Sequence, residues 1–267
     1  MILLRAALLA LTSLIAATTL AAAATCPRGD ALGTSRVIEL DPRTSPPQVG
    51  LKSFPETLPL ADKEVVLTFD DGPNPATTKR ILAALAAECV HATFFQIGQN
   101  AAAHPDLVKA MAAAGHTLGH HSWSHPNMGE ISDAAARDNI DRGIAADEMA
   151  LHGQATQTPS TPFFRFPYFV STKPLLDDLQ ARGIMVFGCD LWASDWEDMT
   201  PQQEFALITE RLQKAHKGII LFHDTKTKTA TMMPEFLRFL RTNGYKIVHI
   251  VPKAADKPDG KSANGHG

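Results

Sequence analysis

Nine consecutive residues decide the fold of this chain: Val65-Val66-Leu67-Thr68-Phe69-Asp70-Asp71-Gly72-Pro73. A β-branched and apolar run leads directly into two adjacent carboxylates, and a Gly-Pro pair follows them. The run predicts a buried strand, and the Gly-Pro pair predicts its end. Two acids at the mouth of a buried strand cost desolvation free energy unless a cation lies beside them. A divalent metal ion would meet that need, because further ligand residues follow downstream.

Those further ligands lie in the stretch His121-Ser122-Trp123-Ser124-His125, after another short apolar run. His121 and His125 are four residues apart, so one helical turn or a tight loop directs both imidazoles at one ion. Taken singly, Asp-Asp-Gly after a strand is typical of a turn, and His-x-x-x-His is typical of a surface or of core histidines. Their order, with each group at a strand end, favours a metal site.

Three more polar groups follow, each beside an apolar run. They are Arg165-Phe166-Pro167-Tyr168, Asp195-Trp196 and Leu221-Phe222-His223. Taken in order, the five groups resemble the five motifs of the polysaccharide deacetylases. That family includes chitin, peptidoglycan and nodulation-oligosaccharide deacetylases. The resemblance extends from Glu64 to Ile250.

Predicted strands and helices alternate over the same region. The strands are predicted at 64–69, 92–97, 116–120, 163–166, 184–189, 218–222 and 245–250, and the helices at 77–87, 105–114, 132–151, 174–182, 200–216 and 233–242. Such alternation predicts a parallel α/β sheet, either an open doubly wound sheet or a barrel. The candidate polar residues, Asp190 among them, all follow strands, and a barrel gathers the carboxyl ends of its strands into one rim. The resemblance also implies a barrel. We therefore expect an α/β fold: a distorted (β/α) barrel with about seven strands in a single domain.

The amino-terminal residues 1–24 have the features of a secretory signal peptide: one early positive charge, an Ala/Leu-rich run and a small-residue end. We expect cleavage near Ala23 or Ala24, and a retained membrane anchor is the alternative. The mature protein is therefore predicted to be exported, either periplasmic or secreted, with no stable membrane insertion after the signal is removed.

The rest of the chain is predicted to divide into three segments. Residues 25–62 are rich in proline and are expected to form an irregular wrap, with an edge strand at 35–40. Residues 63–251 are expected to form the catalytic domain, and 252–267 a disordered tail. A chain of 267 residues with 45% hydrophobic and 20% charged residues is long enough for one full core. A formal net charge of −3 gives no indication of nucleic-acid binding, and the oligomeric state stays open.

Three cysteines are present, and an exported protein can form a disulfide. Cys26 lies in the loop-like amino-terminal segment and Cys89 lies just past a predicted helix, so these two are the expected pair. Cys189 ends an apolar run and is expected to be a buried small hydrophobe.

The candidate site residues can support hydrolysis of an amide. Asp71, His121 and His125 would supply three ligands and leave positions open, which is typical of a catalytic metal ion. A His₂Asp set suits Zn²⁺, although Co²⁺, Ni²⁺ or Mn²⁺ would also fit. Asp70, the neighbouring carboxylate, is the candidate general base.

Two pairs of residues would complete the chemistry. Arg165 is expected to pair with Asp70, because its aromatic neighbours argue against an ordinary surface ion pair. His223 is expected to protonate the leaving amine, with Asp195 holding its tautomer and raising its pKa. The resemblance implies the same metal ligands, base, acid and pairing residues.

The resemblance adds substrate contacts and also reveals departures from the family pattern. It implies that the backbone N–H of Tyr168 stabilises the oxyanion and that Trp196 and Leu221 line the acetyl pocket. Phe169 stands where the family commonly has Gly, which would reshape the groove, and His120 stands where it often has Asn. His120 is either a supporting group or a mere neighbour, and Asp190 is assigned no role. Trp123, Tyr168, Trp192 and Trp196 are candidates for stacking on sugar rings, with core packing as the alternative.

The predicted function is that of an exported metal-dependent hydrolase that removes N-acetyl groups from an acetylated amino-sugar glycan, peptidoglycan or a chitin-like oligosaccharide, and releases acetate. Esterase action on O-acetylated polysaccharide and amidase action on a small non-sugar amide are the enzymatic alternatives. A glycan-binding domain without catalysis is a third, which a complete set of base, acid and metal ligands argues against.

Overall fold

The computed structural model describes residue 26 and residues 28–253 of the chain. The strands of this part are β1 (Thr34–Leu40), β2 (Gln48–Val49), β3 (Glu64–Asp70), β4 (Thr93–Gln96), β5 (Thr117–His120), β6 (Phe163–Phe164), β7 (Met185–Phe187), β8 (Leu191–Trp192), β9 (Gly218–His223) and β10 (Lys246–Pro252). The helices are α1 (Thr78–Ala87), α2 (Gly98–Ala103), α3 (Pro105–Ala113), α4 (Asp133–His152), α5 (Lys173–Ala181), α6 (Pro201–Ala215) and α7 (Thr227–Thr242), with a 3₁₀ turn at Pro167–Phe169. Among these helices, none is long and apolar enough to cross a membrane. The predicted signal peptide lies outside the described residues.

The described strands β3 to β9 form a ring that is hydrogen-bonded at every step except the one from β7 to β8. β3 pairs with β4, β4 with β5, β5 with β6 and β6 with β7. The chain continues from β7 into β8, which pairs with β9, and β9 pairs with β3 along its whole length. Every pair is parallel, as expected for strands joined by helical crossovers. The prediction of a distorted α/β barrel with about seven strands in a single domain is confirmed.

Three strands lie outside the ring. β10 pairs with the first two residues of β3, and β1 pairs with β10. β1 matches the edge strand predicted at 35–40, and β2, which was not predicted, pairs with β7. β10 continues to Pro252, paired with Leu40, so the predicted tail begins later than residue 252. The residues from 254 onwards lie outside the described part.

Two helices differ from the prediction. α2, Gly98–Ala103, was not predicted, because six residues with no side-chain cap give too short a periodic signal. α7 begins at Thr227 rather than at residue 233, and Pro234 lies inside it. An internal proline normally breaks a helix. Here the turn before it is buried through Thr229, Ala230 and Met232, and this packing favours a continuous helix.

The alternation of side chains along β3 positions the site. Val65, Leu67 and Phe69 face outward and join the cluster formed with the covering helices. Val66, Thr68 and Asp70 alternate with these residues and therefore lie on the opposite face of the strand. Val66 packs in the cluster inside the barrel. Asp70 is the last residue of the strand, so its carboxylate lies inside the barrel at the carboxyl end.

A disulfide joins Cys26 to Cys89, which confirms the expected pair. The bond ties the amino-terminal segment to the end of α1. Cys189 is buried and not bonded, also as expected.

We expect one titratable thiol per chain in the unreduced protein. Cys189 supplies it, and burial raises the pKa of that thiol to about 12, so it should react slowly until the protein is unfolded. Titration with a thiol reagent, with and without denaturant, measures both points. Three thiols after denaturation without reductant would contradict the bond.

Candidate active site

The residues predicted for the site come together at the carboxyl end of the barrel, around a cleft of about 540 Å³. The cleft is lined by Lys52, Asp70, Asp71, His121, His125, Phe166, Tyr168, Phe169, Trp196, Leu221, His223 and Lys226. Arg165 and Asp195, the two remaining predicted residues, are buried beside it. The ten residues come from five separate loops and strand ends, which the barrel brings to one rim.

Asp71, His121 and His125 form a group whose ligand atoms all lie within 4.8 Å of one another. Asp71 Oδ1 is 3.6 Å from His121 Nε2 and 3.4 Å from His125 Nε2. A tetrahedral ion with bonds of about 2.0–2.2 Å holds its ligand atoms roughly 3.3–3.6 Å apart. Asp71 Oδ1 is buried and has no hydrogen-bond partner within the described residues. An unpartnered carboxylate oxygen facing two imidazole nitrogens fits a divalent cation.

The backbone aims these ligands through left-handed conformations. Asp71, Ser122 and His125 have φ angles of 76°, 68° and 59°. The two histidines therefore lie on a tight loop rather than on a helical turn. His121 Nδ1 lies 2.7 Å from the Arg165 carbonyl and donates to it, so Nε2 presents its lone pair. Burial, the largest effect, lowers the pKa of His121 to about 3, which keeps the ring neutral as a metal ligand must be.

Arg165 is fully buried and holds Asp70. Its Nη1 donates to Asp70 Oδ1 at 2.7 Å and to the Thr68 hydroxyl at 2.9 Å. Its Nη2 donates to the Gly188 carbonyl at 2.7 Å, and its guanidinium carbon lies 4.3 Å from the centre of the Phe95 ring. The alternative of a surface ion pair is therefore wrong. Burial raises the pKa of Asp70, and the charge of Arg165 opposes that rise.

His223, at the edge of the cleft, forms a second pair with the buried Asp195. His223 Nδ1 lies 2.6 Å from Asp195 Oδ1, and the His223 backbone N–H donates to Asp195 Oδ2 at 2.7 Å. Burial lowers the pKa of His223, but the hydrogen bond and charge of Asp195, with the charges of Asp71 and Asp70, outweigh it and raise the pKa to about 9. A raised pKa favours the protonated ring, and His223 Nε2 lies 4.0 Å from Asp71 Oδ2.

Two exposed aromatic side chains flank the polar groups. The Tyr168 ring lies 4.6 Å from His125, and the Trp196 ring lies 5.7 Å from His223, measured between ring centres. Their side chains are 63% and 47% exposed, so a ligand can reach them. Leu221 is buried and contributes to the cleft lining from β9. Phe169, the departure from the family pattern, lines the same cleft with a φ of 59°, directly after Tyr168 with a φ of 55°.

The other two candidates for sugar stacking pack elsewhere. Trp123 lies under the guanidinium of Arg142, and Trp192 lies between Lys52 and Arg211. Neither tryptophan lines the cleft, and both are half-buried rather than in the core, although Trp192 packs against the cluster inside the barrel.

His120 and Asp190 do not line the cleft. His120 Nδ1 lies 2.7 Å from Asp147 Oδ2, in a buried pair between β5 and α4. Asp190 accepts hydrogen bonds from the backbone N–H groups of Leu51 and Ile219. Ile219 is the second residue of β9, so Asp190 lies near the start of that strand. The expectation that Asp190 belongs to the carboxyl-end rim is wrong, because the chain continues past it into β8.

Two cationic residues of the cleft were missed from the sequence. Lys52 comes from the segment between β2 and β3, and Lys226 immediately precedes α7. Neither belongs to a motif, and no local pattern marks them. The Lys52 ammonium lies 4.3 Å from the centre of the Trp192 ring. Arg165 pairs with Asp70 and His223 pairs with Asp195, so their positive charges are offset by carboxylates. The two lysines add further positive charge to the cleft.

The fold and site together define a parallel (β/α)-barrel protein with an Asp-His-His group that lies between the buried carboxylate of Asp70 and the Asp195-paired His223. The family model described as polysaccharide deacetylase matches residues 58–187. A peptidoglycan-N-acetylglucosamine deacetylase of Bacillus cereus is 34% identical over 197 residues, which cover 72% of this chain and 68% of that protein. The chain belongs to the polysaccharide deacetylase family.

Two further comparisons agree in fold and sequence. The peptidoglycan-N-acetylmuramic acid deacetylase PdaC of Bacillus subtilis is 32% identical over 196 residues, which cover 73% of this chain and 39% of PdaC. This chain therefore spans well under half the length of PdaC. The structure of a peptidoglycan deacetylase of Bdellovibrio bacteriovorus superposes with a TM-score of 0.74 at 29% identity, over 85% of this chain and 61% of that one.

Proposed function

We propose that the protein is an exported, metal-dependent hydrolase that removes N-acetyl groups from an amino-sugar glycan and releases acetate. One observation carries the proposal: Asp71 Oδ1, which has no hydrogen-bond partner in the part of the chain that the structure describes, faces His121 and His125 in a cleft that also presents Asp70 and His223. A base, an acid and three metal ligands within one cleft are what amide hydrolysis needs.

Asp71, His121 and His125 are the proposed ligands of one divalent ion, with Zn²⁺ favoured by the His₂Asp set and Co²⁺, Ni²⁺ or Mn²⁺ also suited to it. When bound, such an ion lowers the pKa of a coordinated water and polarises the acyl oxygen.

Asp70 is the proposed general base. Its Oδ1 is held by Arg165, which leaves Oδ2 as the atom that takes a proton from the attacking water. A carboxylate in a dry site with a raised pKa is a stronger base than one in water. Arg165 acts on Asp70 by fixing its position, because three further hydrogen bonds, to the Phe187 and Gly188 carbonyls and to Thr68, hold the guanidinium in place.

His223 is the proposed general acid. Asp195 holds Nδ1–H, so the proton on Nε2 faces the cleft. As the C–N bond breaks, Nε2 donates that proton to the departing amine nitrogen, and the new C–O bond leaves acetate. A pKa raised to about 9 keeps the ring in its acidic form at neutral pH.

Tyr168, Trp196 and Leu221 are the proposed substrate contacts. The backbone N–H of Tyr168 is assigned to the developing oxyanion, because Tyr168 lines the cleft and its ring lies beside His125. Trp196 and Leu221 are assigned to the wall around the acetyl methyl group.

Peptidoglycan is the proposed substrate ahead of a neutral chitin-like oligosaccharide. The relatives named above act on peptidoglycan, as their names state. Lys52 and Lys226 support the same choice, since they line the cleft and would attract a carboxylate-bearing glycan. Export is supported by the Cys26–Cys89 disulfide, a bond that persists in oxidising compartments.

We expect the mature protein to release acetate from peptidoglycan and from N-acetylglucosamine oligomers, and chelation to abolish the release. The reaction needs the ion because the base alone leaves the acyl oxygen unpolarised. The measurement is an acetate assay on these substrates and on O-acetylated xylan, with a chelated sample and the same sample after Zn²⁺ is restored.

Each other outcome changes the assignment in a defined way. If acetate were released from O-acetylated xylan alone, the protein would be assigned as an esterase that cleaves O-acetyl esters rather than amides. If no substrate released acetate while the ion was bound, the proposed substrate would be a small non-sugar amide, or the protein would be a glycan-binding protein without catalysis. Acetate release that persists after complete chelation would contradict the metal dependence.

A further inference from the structure

A hydroxyl group lies between two buried carboxyl groups next to His223. Thr229 Oγ1 lies 2.8 Å from Asp195 Oδ2 and 2.8 Å from Glu204 Oε1. Thr229 belongs to the first turn of α7 and Glu204 to the first turn of α6. Both residues are fully buried, so water does not supply alternative partners.

These contacts require a proton on one carboxyl group. A threonine hydroxyl has one hydrogen, so it donates to one oxygen only, and the other oxygen must itself carry a hydrogen. Asp195 accepts from the ring and the backbone N–H of His223, which stabilises its ionised form. Glu204 is therefore the carboxyl group that carries the proton.

The surroundings of Glu204 agree with a neutral acid. Its Oε2 is buried and lacks a hydrogen-bond partner within residues 26 and 28–253, which costs less for the carbonyl oxygen of an acid than for a carboxylate. Burial, the largest effect, and the charge of Asp195 raise the pKa of Glu204 to about 8. The contact with the Thr229 hydroxyl, the charges of Lys228 and His223, and the amino terminus of α6 oppose that rise without reversing it.

We propose that Glu204 is a positioning residue held as a neutral acid. Its O–H donates to Thr229 Oγ1, and the Thr229 O–H donates to Asp195 Oδ2. These two hydrogen bonds in series hold the Asp195 carboxylate against His223 Nδ1. Glu204 and Thr229 lie outside the five motifs. The inference deepens the proposed function and rests on it for its kinetic readout.

Replacing Glu204 distinguishes the neutral acid from a carboxylate. We expect Glu204→Ala to lower kcat about tenfold at unchanged KM, which is the value of one hydrogen bond to a charged acceptor. Glu204→Gln should restore most of that loss, because its amide N–H donates to Thr229 as the acid O–H does. A matched pair of variants tests the Thr229 hydroxyl, which links the two carboxyl groups. Thr229→Val should have a lower kcat than the wild type, and Thr229→Ser should have a kcat close to that of the wild type.

Two spectroscopic measurements do not depend on activity. The infrared difference between the wild type and Glu204→Gln at pH 6 should contain the carbonyl band of a protonated carboxylic acid, and this band should disappear as the pH rises through about 8. The downfield proton resonance of His223 Nδ1–H should persist in Glu204→Gln and in Thr229→Ser. It should broaden by exchange with water in Glu204→Ala and Thr229→Val.

Three results would overturn the proposal: a loss of kcat in Glu204→Gln as large as in Glu204→Ala, equal kcat in the two Thr229 variants, or an infrared difference that shows only carboxylate at pH 6. Circular dichroism confirms that each variant is folded, and if Glu204→Ala does not fold, the Thr229 pair decides. If no substrate yields acetate, the proposed function fails, while the two spectra still decide the proton and the hydrogen-bond chain.

Discussion

Asp70→Asn is expected to lower kcat for acetate release by about 10²–10⁴-fold, the range that general-base catalysis contributes. Asparagine has nearly the same shape and still accepts from Arg165 Nη1, so the barrel should remain folded. It cannot take a proton from the attacking water. Because Asp70 is not one of the Asp71, His121 and His125 group, the bound metal should remain. Metal content by elemental analysis and acetate release on the same sample measure both expectations.

A matched variant separates the base from the metal ligands. His125→Ala removes one of the three nitrogen and oxygen donors and should lose metal and activity together, whereas Asp70→Asn should lose activity alone. When excess Zn²⁺ is added to both variants, only His125→Ala should regain activity. Wild-type activity in Asp70→Asn would remove Asp70 from the reaction, and loss of metal in that variant would make Asp70 a ligand.

Arg165→Met is expected to lower the free energy of unfolding by about 3–5 kcal/mol, the cost of leaving a buried charge without its partner. The guanidinium has four acceptors inside the barrel, and the Asp70 carboxylate beside it is 2% exposed. Methionine fills much of the same volume but donates to none of them. Urea unfolding followed by circular dichroism measures the loss, with chelator in every sample because a bound ion would stabilise the folded state.

A double variant shows whether the unpaired charge is the cause. Arg165→Met combined with Asp70→Asn removes both charges, so it should be more stable than Arg165→Met alone. If the two are equally stable, the loss comes from the backbone carbonyls of Phe187 and Gly188 rather than from Asp70. Arg165→Lys should lie between wild type and Arg165→Met, since an ammonium keeps the charge but cannot reach all of these acceptors.

The barrel was predictable because its longer strands are apolar runs that end at polar residues. β3 and β9 were placed within one residue on that basis. β2 and β8 are only two residues long, and so short a segment carries no period. The start of α7 was misplaced because the burial that extends the helix back to Thr227 depends on tertiary packing.

The residues of the site also fall into two groups: those that local sequence patterns predicted and those that only tertiary packing brings together. Asp70, Asp71, His121 and His125 lie beside strand ends, so their grouping followed from local patterns and parallel topology. The complete burial of Arg165 depends on acceptors at Phe187 and Gly188, which come from a different strand. Lys52, Glu204 and Thr229 lie in segments with no chemical motif. Only the packing of the amino-terminal segment and of α6 against α7 brings them to the site.

The strands that pair with β3 determine how late in folding the barrel can close. This strand carries Asp70, yet its neighbours include β9 and β10, whose residues 218–223 and 246–247 come from the last fifth of the chain. Contacts between residues so far apart in sequence make folding slow. The barrel therefore cannot close until nearly all of the chain is available. In the proposed export of an unfolded chain, the cleft around Asp70 would form only after residues 218–223 had crossed the membrane.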